Sequence, residues 1–298
     1  MRSTIRGCGD TAAGQGSRVM AVLPRGHPQT DNEVSPMIEM KYSLYVLDMD
    51  GTFYLGDKPI PGALEFIARV RESGAEFLFL TNNSSKTSDQ YVAKLGQMGL
   101  ATDRQHVLTS ADATITLLLR ETPYRRLFLM APPSVKEEFT AAGFNLDEES
   151  PEALVLAFDT TLEYGRLARF CHLVREGRPF IATHPDINCP TPAGPIPDVG
   201  AMLDLIASST GRRPDQIVGK PSPDFLRAAM LRFGTSPEET VMIGDRIYTD
   251  VLCGLRAGTG TVLVLSGEST LETLERSRDK PALVVGSVAE IRPLQARP

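Results

Sequence analysis

Asp48 and Asp50 are the residues of this chain whose type and spacing best suit chemistry. They follow the apolar run Tyr45-Val46-Leu47, which predicts a short buried strand, and they precede Gly51-Thr52. In open α/β sheets ligands bind at the carboxyl ends of the strands, where this pair would project. One carboxylate could attack a phosphate ester while the other handles the proton of the leaving group. An Asx turn that closes a strand is the alternative explanation.

A second polar element follows the apolar run Phe77-Leu78-Phe79-Leu80, which predicts another buried strand. Thr81, Asn82 and Asn83 come directly after it. A threonine hydroxyl and successive backbone N–H groups at a strand–helix junction form a good cradle for phosphate oxygens. Capping of the next helix by Thr81 and Asn82 is the alternative explanation.

A third element is Lys220, which stands between a glycine and a proline in Gly219-Lys220-Pro221. This setting predicts a rigid loop, from which the ammonium could neutralise both an attacking carboxylate and a phosphate group. A nucleotide-binding P-loop is not indicated, because that motif requires Ser or Thr after the lysine and Pro221 follows it here.

Two more aspartates follow a further apolar run, Val241-Met242-Ile243. Asp245 comes just after this predicted strand, and Asp250 follows five residues later. Oxygen ligands from Asp48, Asp245 and a backbone carbonyl would suit octahedral Mg²⁺. Asp250 could instead cap the helix that is predicted to begin near Thr249.

Short apolar runs alternate with amphipathic stretches from Lys41 onward, which is typical of βαβ units and a parallel sheet. The predicted helices include 62–72, 223–233 and 249–257, with Ser222 as the N-cap of the second. The predicted strands are Leu44–Leu47, Glu76–Leu80, Val107–Thr109, Leu127–Met130, Ala153–Ala157, Pro179–Ala182, Thr240–Ile243, Thr261–Leu265 and Ala282–Val285. The predicted fold class is therefore α/β.

The stretch 122–213 has predicted strands and helices of its own, and its proline-rich loop 190–197 resembles nothing in the flanking sequence. So many strands are also unusual for one sheet in a chain of 298 residues. The sequence therefore predicts a second α/β domain at 122–213, inserted into a core formed by 37–121 and 214–298.

Composition limits the classes of partner. The net charge of −6 argues against broad nucleic-acid binding, but it does not exclude an anionic substrate. No apolar stretch approaches the roughly 20 residues that a membrane-spanning helix needs. The four cysteines show no metal-ligand spacing, which indicates free thiols in a reducing cytosol and a cytoplasmic protein. Residues 1–36 are predicted to be a disordered tail or the product of an upstream start codon, with Met37 or Met40 as the natural beginning.

The order of the four elements resembles that of the haloacid dehalogenase (HAD) superfamily of phosphohydrolases. The segments LDMDGTFYLGD, LTNNSS, ATHPDINCP, GKPSP and IGDRIYTD resemble the NagD-like, 4-nitrophenylphosphatase-type branch, and the likeness extends from Lys41 to about Val288. The resemblance implies a Rossmann-like, three-layer core with a parallel sheet and an inserted α/β cap of the C2 type.

The resemblance also implies a Mg²⁺-dependent phosphomonoester hydrolase that works through an aspartyl-phosphate. Asp48 is then the nucleophile, and Asp50 is the acid that protonates the leaving alkoxide and later the base that activates water. Mg²⁺ is expected on Asp48, Asp245, Asp250 and the backbone carbonyl of Asp50. Lys220 is expected to neutralise charge in this catalytic centre.

The remaining expected contacts are with the substrate, a small phosphate ester. Thr81, Asn82, Asn83 and Lys220 are expected to bind its phosphate. The expected esters are sugar phosphates, nucleoside monophosphates, glycerol phosphate, phosphoglycolate and nitrophenyl phosphate.

The inserted domain is expected to choose the substrate by closing over the core site. His184, Asp186 and Asn188 are the candidate specificity residues, because their loop follows the predicted strand that ends at Ala182. A purely structural role is the alternative for each. The cap also offers surface for a homodimer.

Other functions fit the residues less well. A dehalogenase would lack the second acid, Asp50, and a phosphomutase of the superfamily usually has a smaller helical cap. A phospho-accepting receiver domain is a single domain with its acidic pair and its acceptor on different strands, which does not match Asp48 and Asp50. An inactive binding protein on the same fold is the remaining alternative, and multiple turnover would exclude it.

Overall fold

The computed structural model describes residues 37–191 and 193–295 as an α/β fold with two parallel sheets. The predicted tail, residues 1–36, lies outside the described residues. The strands are β1 (Ile38–Met40), β2 (Leu44–Leu47), β3 (Tyr54–Leu55), β4 (Lys58–Pro59), β5 (Glu76–Thr81), β6 (Val107–Thr109), β7 (Arg126–Met130), β8 (Asn145–Leu146), β9 (Ala153–Leu156), β10 (Phe180–Ala182), β11 (Asn188–Cys189), β12 (Ile196–Pro197), β13 (Gln216–Ile217), β14 (Thr240–Gly244), β15 (Gly260–Val264), β16 (Leu283–Val285) and β17 (Ile291–Pro293).

Most of the helices connect consecutive parallel strands. They are α1 (Ala63–Glu72), α2 (Ser88–Gln97), α3 (Ser110–Glu121), α4 (Pro133–Ala141), α5 (Tyr164–Arg175), α6 (Val199–Thr210), α7 (Pro223–Phe233), α8 (Leu252–Ala257) and α9 (Leu271–Arg276). Short 3₁₀ helices lie at Arg104–His106, Pro237–Glu239 and Val288–Glu290, and a π-helical turn covers Ile247–Val251.

The larger sheet has six parallel strands in the order β16-β15-β14-β2-β5-β6. The chain begins in the middle at β2, proceeds outward through β5 and β6, and later returns to β14 on the other side of β2. The order therefore reverses between β2 and β14, and such a switch point leaves a crevice at the carboxyl ends of the two strands.

Side chains of β2 alternate between the two faces of this sheet. Leu44 and Val46 pack into one apolar cluster with residues of α3, α7 and α8, whereas Tyr45 and Leu47 pack into another with residues of α1 and α2. Because the strand is fully buried on both faces, the sheet is the middle of three layers. The predicted three-layer parallel-sheet core is thus confirmed.

The second sheet has five parallel strands in the order β13-β10-β9-β7-β8. One of its faces packs against α5 and α6, where Phe170 makes edge-to-face contacts with Phe128 and Phe180. The antiparallel pair β11–β12 follows β10. This sheet, with its helices, is the α/β cap that the sequence predicts between the polar element at Thr81 and the loop of Lys220.

The boundaries of the cap at 122 and 213 stay predictions. Pairing within the sheet bears on the second one, because β13 hydrogen-bonds to β10 although its residues lie beyond 213. The second sheet therefore continues to Ile217, immediately before the loop that carries Lys220. A two-residue edge strand has too few residues for a visible hydrophobic pattern, so the sequence alone did not indicate it.

Predicted and observed elements agree closely in the two sheets, where all nine predicted strands are present with ends shifted by one residue at most. Helix α7 begins and ends as predicted, although the side chain of Ser222 makes no capping hydrogen bond. The helix predicted at 249–257 is wrong in its first turn. That turn belongs to the π-helical segment Ile247–Val251, and α8 begins only at Leu252.

In the part of the chain that the structure describes, no helix combines the length and the apolar character that crossing a membrane requires.

Candidate active site

The crevice between β2 and β14 brings the predicted acidic residues together. Leu47 and Ile243 are paired in the sheet, and the backbone N–H of Asp48 donates to the carbonyl of Ile243 at 2.9 Å. Asp48 follows β2 directly, and Asp245 follows β14 directly. The switch point of the sheet therefore places both side chains at the same edge.

Asp250 completes an acidic cluster with Asp48 and Asp245. One carboxylate oxygen from each residue lies within 4.8 Å of the other two. All three side chains are buried or nearly so. Burial, followed by repulsion from Asp48 and Asp250, raises the pKa of Asp245 well above its ordinary value. Three carboxylates this close repel one another unless positive charge lies between them.

The free oxygens of the cluster indicate where a cation would bind. Asp245 Oδ2 accepts the backbone N–H of Glu268 at 2.7 Å, and Asp250 Oδ2 accepts that of Arg246 at 2.9 Å. Within the described residues, Asp245 Oδ1 and Asp250 Oδ1 are buried without a hydrogen bond, although Asp250 Oδ1 forms an ion pair with Lys220. Hard carboxylate oxygens in this arrangement fit a divalent cation such as Mg²⁺.

The π-helical turn explains how Asp250 serves two purposes. The backbone N–H groups of Asp250 and Val251 both donate to the carbonyl of Arg246, and the Asp250 carboxylate accepts the N–H of Arg246 in return. Asp250 therefore closes the turn onto Arg246 and also reaches the acidic cluster. The alternative that Asp250 caps the following helix is wrong, because α8 begins at Leu252 after Val251 and has no side-chain cap.

The backbone that follows Asp48 and Asp50 lies against the acidic cluster because of Gly51, whose φ is +83°. A Cβ atom at this position would come within 2.5 Å of Asp245 Oδ2. Any other residue would thus be strained and would also displace the carboxylate. The Gly that follows Asp50 in the sequence is therefore explained by close approach to Asp245.

Lys220 supplies positive charge to the cluster. Its ammonium forms an ion pair with Asp48, lies 2.7 Å from Asp250 Oδ1 and donates to the carbonyl of Leu80 at 2.9 Å. Burial opposes the charge of this lysine, but the neighbouring carboxylates of Asp250 and Asp48 outweigh burial and raise its pKa. Lys220 is therefore a fixed cation in contact with two carboxylates.

Asn82 holds the loop of Lys220 against the end of β5. Its Oδ1 accepts the backbone N–H of Lys220 at 2.8 Å, and its Nδ2 donates to the carbonyl of Lys220 at 3.0 Å. The same Nδ2 lies 2.9 Å from Oδ1 of Asp186 in the cap. A Cβ at position 219 would come within 2.5 Å of Asn82 Oδ1, so the glycine before Lys220 is required by this contact.

Asp50 differs from Asp48 in its surroundings. Oδ2 of Asp50 accepts a hydrogen bond from the Tyr54 hydroxyl at 3.2 Å. Burial, followed by the charge of Asp48, raises the pKa of Asp50 to about 6. The Asp50 carboxyl thus retains a proton at higher pH than an ordinary aspartate, which suits a group that donates one.

These residues enclose a narrow cavity of about 30 Å³. Its walls combine the core motifs with the cap loop and are formed by Asp48, Asp50, Thr81, Asn82, Asn83, Asp186, Asn188, Cys189, Pro190, Asp198, Lys220, Arg246 and Thr249. The predicted phosphate-binding residues Thr81, Asn82 and Asn83 therefore lie beside the acidic cluster. Wider cavities of about 590 and 440 Å³ also border Arg246.

The three predicted cap residues have different positions. Asp186 lies at the cavity, where its carboxylate contacts Asn82 and, at 3.2 Å, Nη1 of Arg246. Asn188 is exposed and also borders the cavity. These two positions agree with a role at the substrate.

His184 does not border the cavity, and a direct substrate contact does not fit its geometry. Its ring is fully buried, with Nε2 2.9 Å from Asp198 Oδ1 and Nδ1 3.0 Å from the Thr183 hydroxyl. Nδ1 also lies 3.4 Å from Ser110 Oγ in the core. The ring therefore joins the cap loop to the core and to Asp198, the N-cap of α6, which agrees with the structural alternative for this residue.

Five residues that line the cavity were not predicted from the sequence, namely Cys189, Pro190, Asp198, Arg246 and Thr249. Arg246 directly follows Asp245, so its proximity to the site was visible in the sequence. Cys189 and Asp198 are brought there by the β11–β12 pair, whose short strands carry no hydrophobic periodicity. Cys189 lies in the segment ATHPDINCP next to Asn188, so its position was visible in the sequence, whereas Asp198 carried no such signal.

Comparison with known proteins supports the family that the motifs indicate. The profile of the haloacid dehalogenase-like hydrolases matches residues 45–145, and the HAD-hydrolase-like profile matches residues 217–291. Dihydroxyacetone phosphatase of Corynebacterium glutamicum (strain R) is 35% identical over 247 residues, which are 83% of this chain and 90% of that protein.

Solved structures of similar proteins lead to the same family. The 4-nitrophenylphosphatase of Thermotoga maritima has a TM-score of 0.81 at 46% identity, over 84% of this chain and 95% of that one. NagD of Escherichia coli K-12 has a TM-score of 0.78 at 31% identity, over 85% of this chain and 99% of that one. The chain therefore belongs to the haloacid dehalogenase-like hydrolases. Within that family it is a NagD-like phosphatase.

Replacing Asn82 should test how the Lys220 loop is positioned. Asn82→Ala leaves the buried N–H and carbonyl of Lys220 without these partners and removes the contact to Asp186 Oδ1, so we expect kcat/KM to fall by about 100-fold and stability by about 1–3 kcal/mol. Phosphate release and denaturant unfolding measure the two effects. The matched control is Asn145→Ala, because Asn145 is exposed at the edge strand β8. Equal behaviour of the two variants would contradict the positioning role of Asn82.

Proposed function

We propose that this phosphatase is a Mg²⁺-dependent phosphomonoester hydrolase of small phosphorylated metabolites that works through an aspartyl-phosphate. The observation that carries the proposal is the buried cluster of Asp48, Asp245 and Asp250 with Lys220 in contact. Phosphoryl transfer depends mainly on positioning and on neutralising charge, and this cluster supplies groups for both.

Asp48 is the proposed nucleophile. Its carboxylate oxygen attacks phosphorus, the bond from phosphorus to the ester oxygen breaks, and the phosphoryl group passes to Asp48. Lys220, the Thr81 hydroxyl and backbone N–H groups of the following loop neutralise and orient the phosphate oxygens. Asp48, Asp245, Asp250 and a backbone carbonyl of Asp50 would hold Mg²⁺, which when bound supplies further positive charge to the phosphate.

Asp50 is the proposed acid and base. It donates its proton to the departing alkoxide, which leaves as an alcohol. In the second step Asp50 takes a proton from water, the water oxygen attacks phosphorus, and the bond to Asp48 breaks to release phosphate. The pKa of Asp50, raised to about 6 by burial and by Asp48, supports a carboxyl that can carry this proton.

The position of the cap loop at the cavity favours a small substrate. Asp186, Asn188 and Pro190 close one side of the narrow cavity, so a phosphate bound beside Asp48 would be shielded from bulk water. The proposed substrates are sugar phosphates, nucleoside monophosphates, glycerol phosphate and phosphoglycolate, with nitrophenyl phosphate as a synthetic substrate. The name of the related dihydroxyacetone phosphatase favours the small sugar phosphates.

The nucleophile is tested by Asp48→Asn. This change keeps the shape of the side chain but removes its nucleophilic charge, so we expect the fold to persist and hydrolysis of nitrophenyl phosphate to fall below detection. Phosphate release with Mg²⁺ and circular dichroism measure the two properties. Asp224→Asn is the matched control, since Asp224 is exposed on α7 and pairs with Arg227 of the same helix. Activity retained by Asp48→Asn would exclude the proposed nucleophile.

The acid is tested by Asp50→Asn with two kinds of leaving group. Nitrophenolate leaves without a proton, whereas the alkoxide of glycerol phosphate needs one. We therefore expect kcat/KM to fall at least about tenfold further for glycerol phosphate than for nitrophenyl phosphate. Because kcat/KM reports only the steps up to the first irreversible one, the later role of Asp50 as a base does not obscure the comparison.

The control for this second test is Asp57→Asn, whose carboxylate is almost fully exposed between β3 and β4. This variant should leave kcat/KM unchanged for both substrates. Equal losses on the two substrates in Asp50→Asn would count against Asp50 as the acid of the first step.

A further inference from the structure

Arg246 lies between two carboxylates, one from the cap and one from the core. Its Nη1 lies 3.2 Å from Asp186 Oδ2, and its Nε lies 2.9 Å from Glu268 Oε2 in a second ion pair. The side chain is only 14% exposed. Its positive charge is therefore balanced by two carboxylates of the protein itself, although Nε makes no hydrogen bond within the described residues.

Glu268 is held in place from two sides. Its Oε1 accepts the hydroxyl of Tyr248 at 2.7 Å, while Oε2 faces Arg246. About half of the Glu268 side chain is nevertheless exposed. A carboxylate that is fixed and still accessible presents negative charge to whatever occupies the neighbouring space.

That space is where the leaving group of a bound ester must lie. The two wider cavities adjoin the catalytic one through shared residues, since Asp50 and Arg246 border the first and Asp186 and Arg246 border the second. Among the described residues that line them, Arg246 is the only cation. The acids that line one or both are Asp50, Asp186, Asp245 and Glu268.

The charge balance has a direct consequence for binding. A second anionic group on the substrate would find Arg246 already paired with Asp186 and Glu268 and would lie close to both carboxylates, which is unfavourable by Coulomb repulsion. An uncharged hydroxyl or carbonyl group has no such penalty, and the exposed amide of Asn188 lines the second cavity as a hydrogen-bonding group. The walls therefore distinguish leaving groups by charge.

We propose that this site selects phosphate esters with an uncharged leaving group, such as a polyol or a small ketose, and discriminates against those that carry a carboxylate. Glu268 is the specificity-determining residue, because its ion pair with Arg246 balances the charge of a guanidinium that could otherwise bind a substrate carboxylate. This inference rests on the proposed hydrolysis of small phosphate esters and narrows its substrate class, because it makes phosphoglycolate a poor substrate among those proposed above.

The test compares glycerol 3-phosphate with 3-phosphoglycerate, which differ in having CH₂OH or a carboxylate at the far end of the same carbon chain. With Mg²⁺ present, we expect kcat/KM to be at least about tenfold higher for glycerol 3-phosphate. Glu268→Gln preserves the shape of the side chain but releases the charge of Arg246. It should raise kcat/KM for 3-phosphoglycerate. The ratio of kcat/KM for glycerol 3-phosphate to that for 3-phosphoglycerate should therefore fall at least about threefold.

Glu272→Gln is the matched control, because it removes a carboxylate from an exposed arginine pair on α9, outside the residues that line these cavities. It should leave the ratio unchanged. Hydrolysis of nitrophenyl phosphate without discrimination between the two glycerol derivatives, or an unchanged ratio in Glu268→Gln, would overturn this inference alone. No hydrolysis of any ester, nitrophenyl phosphate included, would overturn the proposed function and the inference with it.

Discussion

The buried contact of Lys220 with Asp48 and Asp250 is the interaction on which the rest of the site depends. Carboxylates at the end of a buried sheet lose hydration and repel one another, and each effect raises the free energy of the folded state. The ammonium of Lys220 offsets part of this cost. Asp245 has no such partner, and its Oδ1 is buried without a hydrogen bond among the described residues. The cluster thus retains a deficit of positive charge that a divalent cation and its bound substrate would compensate.

Placement of this lysine also couples the core to the cap. Asn82 fixes the backbone of Lys220 and at the same time contacts Asp186, and Asp186 contacts Arg246, which adjoins Asp245 in the chain. One connected network of polar contacts therefore links the proposed phosphate-binding residue Asn82, the acidic cluster and the cap loop. Because Asp186 and Arg246 belong to this network, movement of the cap loop would directly alter the surroundings of the leaving group.

The parts of this arrangement that the sequence predicted are those with strong local patterns. Buried parallel strands form continuous apolar runs, so β2, β5 and β14 and the polar residues at their ends were predictable. The π-helical turn at Ile247–Val251 was not, because such turns are rare and the sequence of this segment does not distinguish one from the α-helix that follows. His184 shows the same limit. Its motif placed it near the site, but only the fold shows that Asp198 and Thr183 bind its ring away from the cavity.

The most direct test of this account measures whether Mg²⁺ relieves the charge repulsion in the acidic cluster. Thermal unfolding of the protein with increasing Mg²⁺ should show a rising Tm, because a cation at about 100 times its Kd stabilises the folded state by about 2.7 kcal/mol. Asp245→Asn should remove most of this response. A Tm that does not depend on Mg²⁺ up to millimolar concentrations in the unmodified protein would contradict the account, because the cluster would then carry its charge without needing a cation.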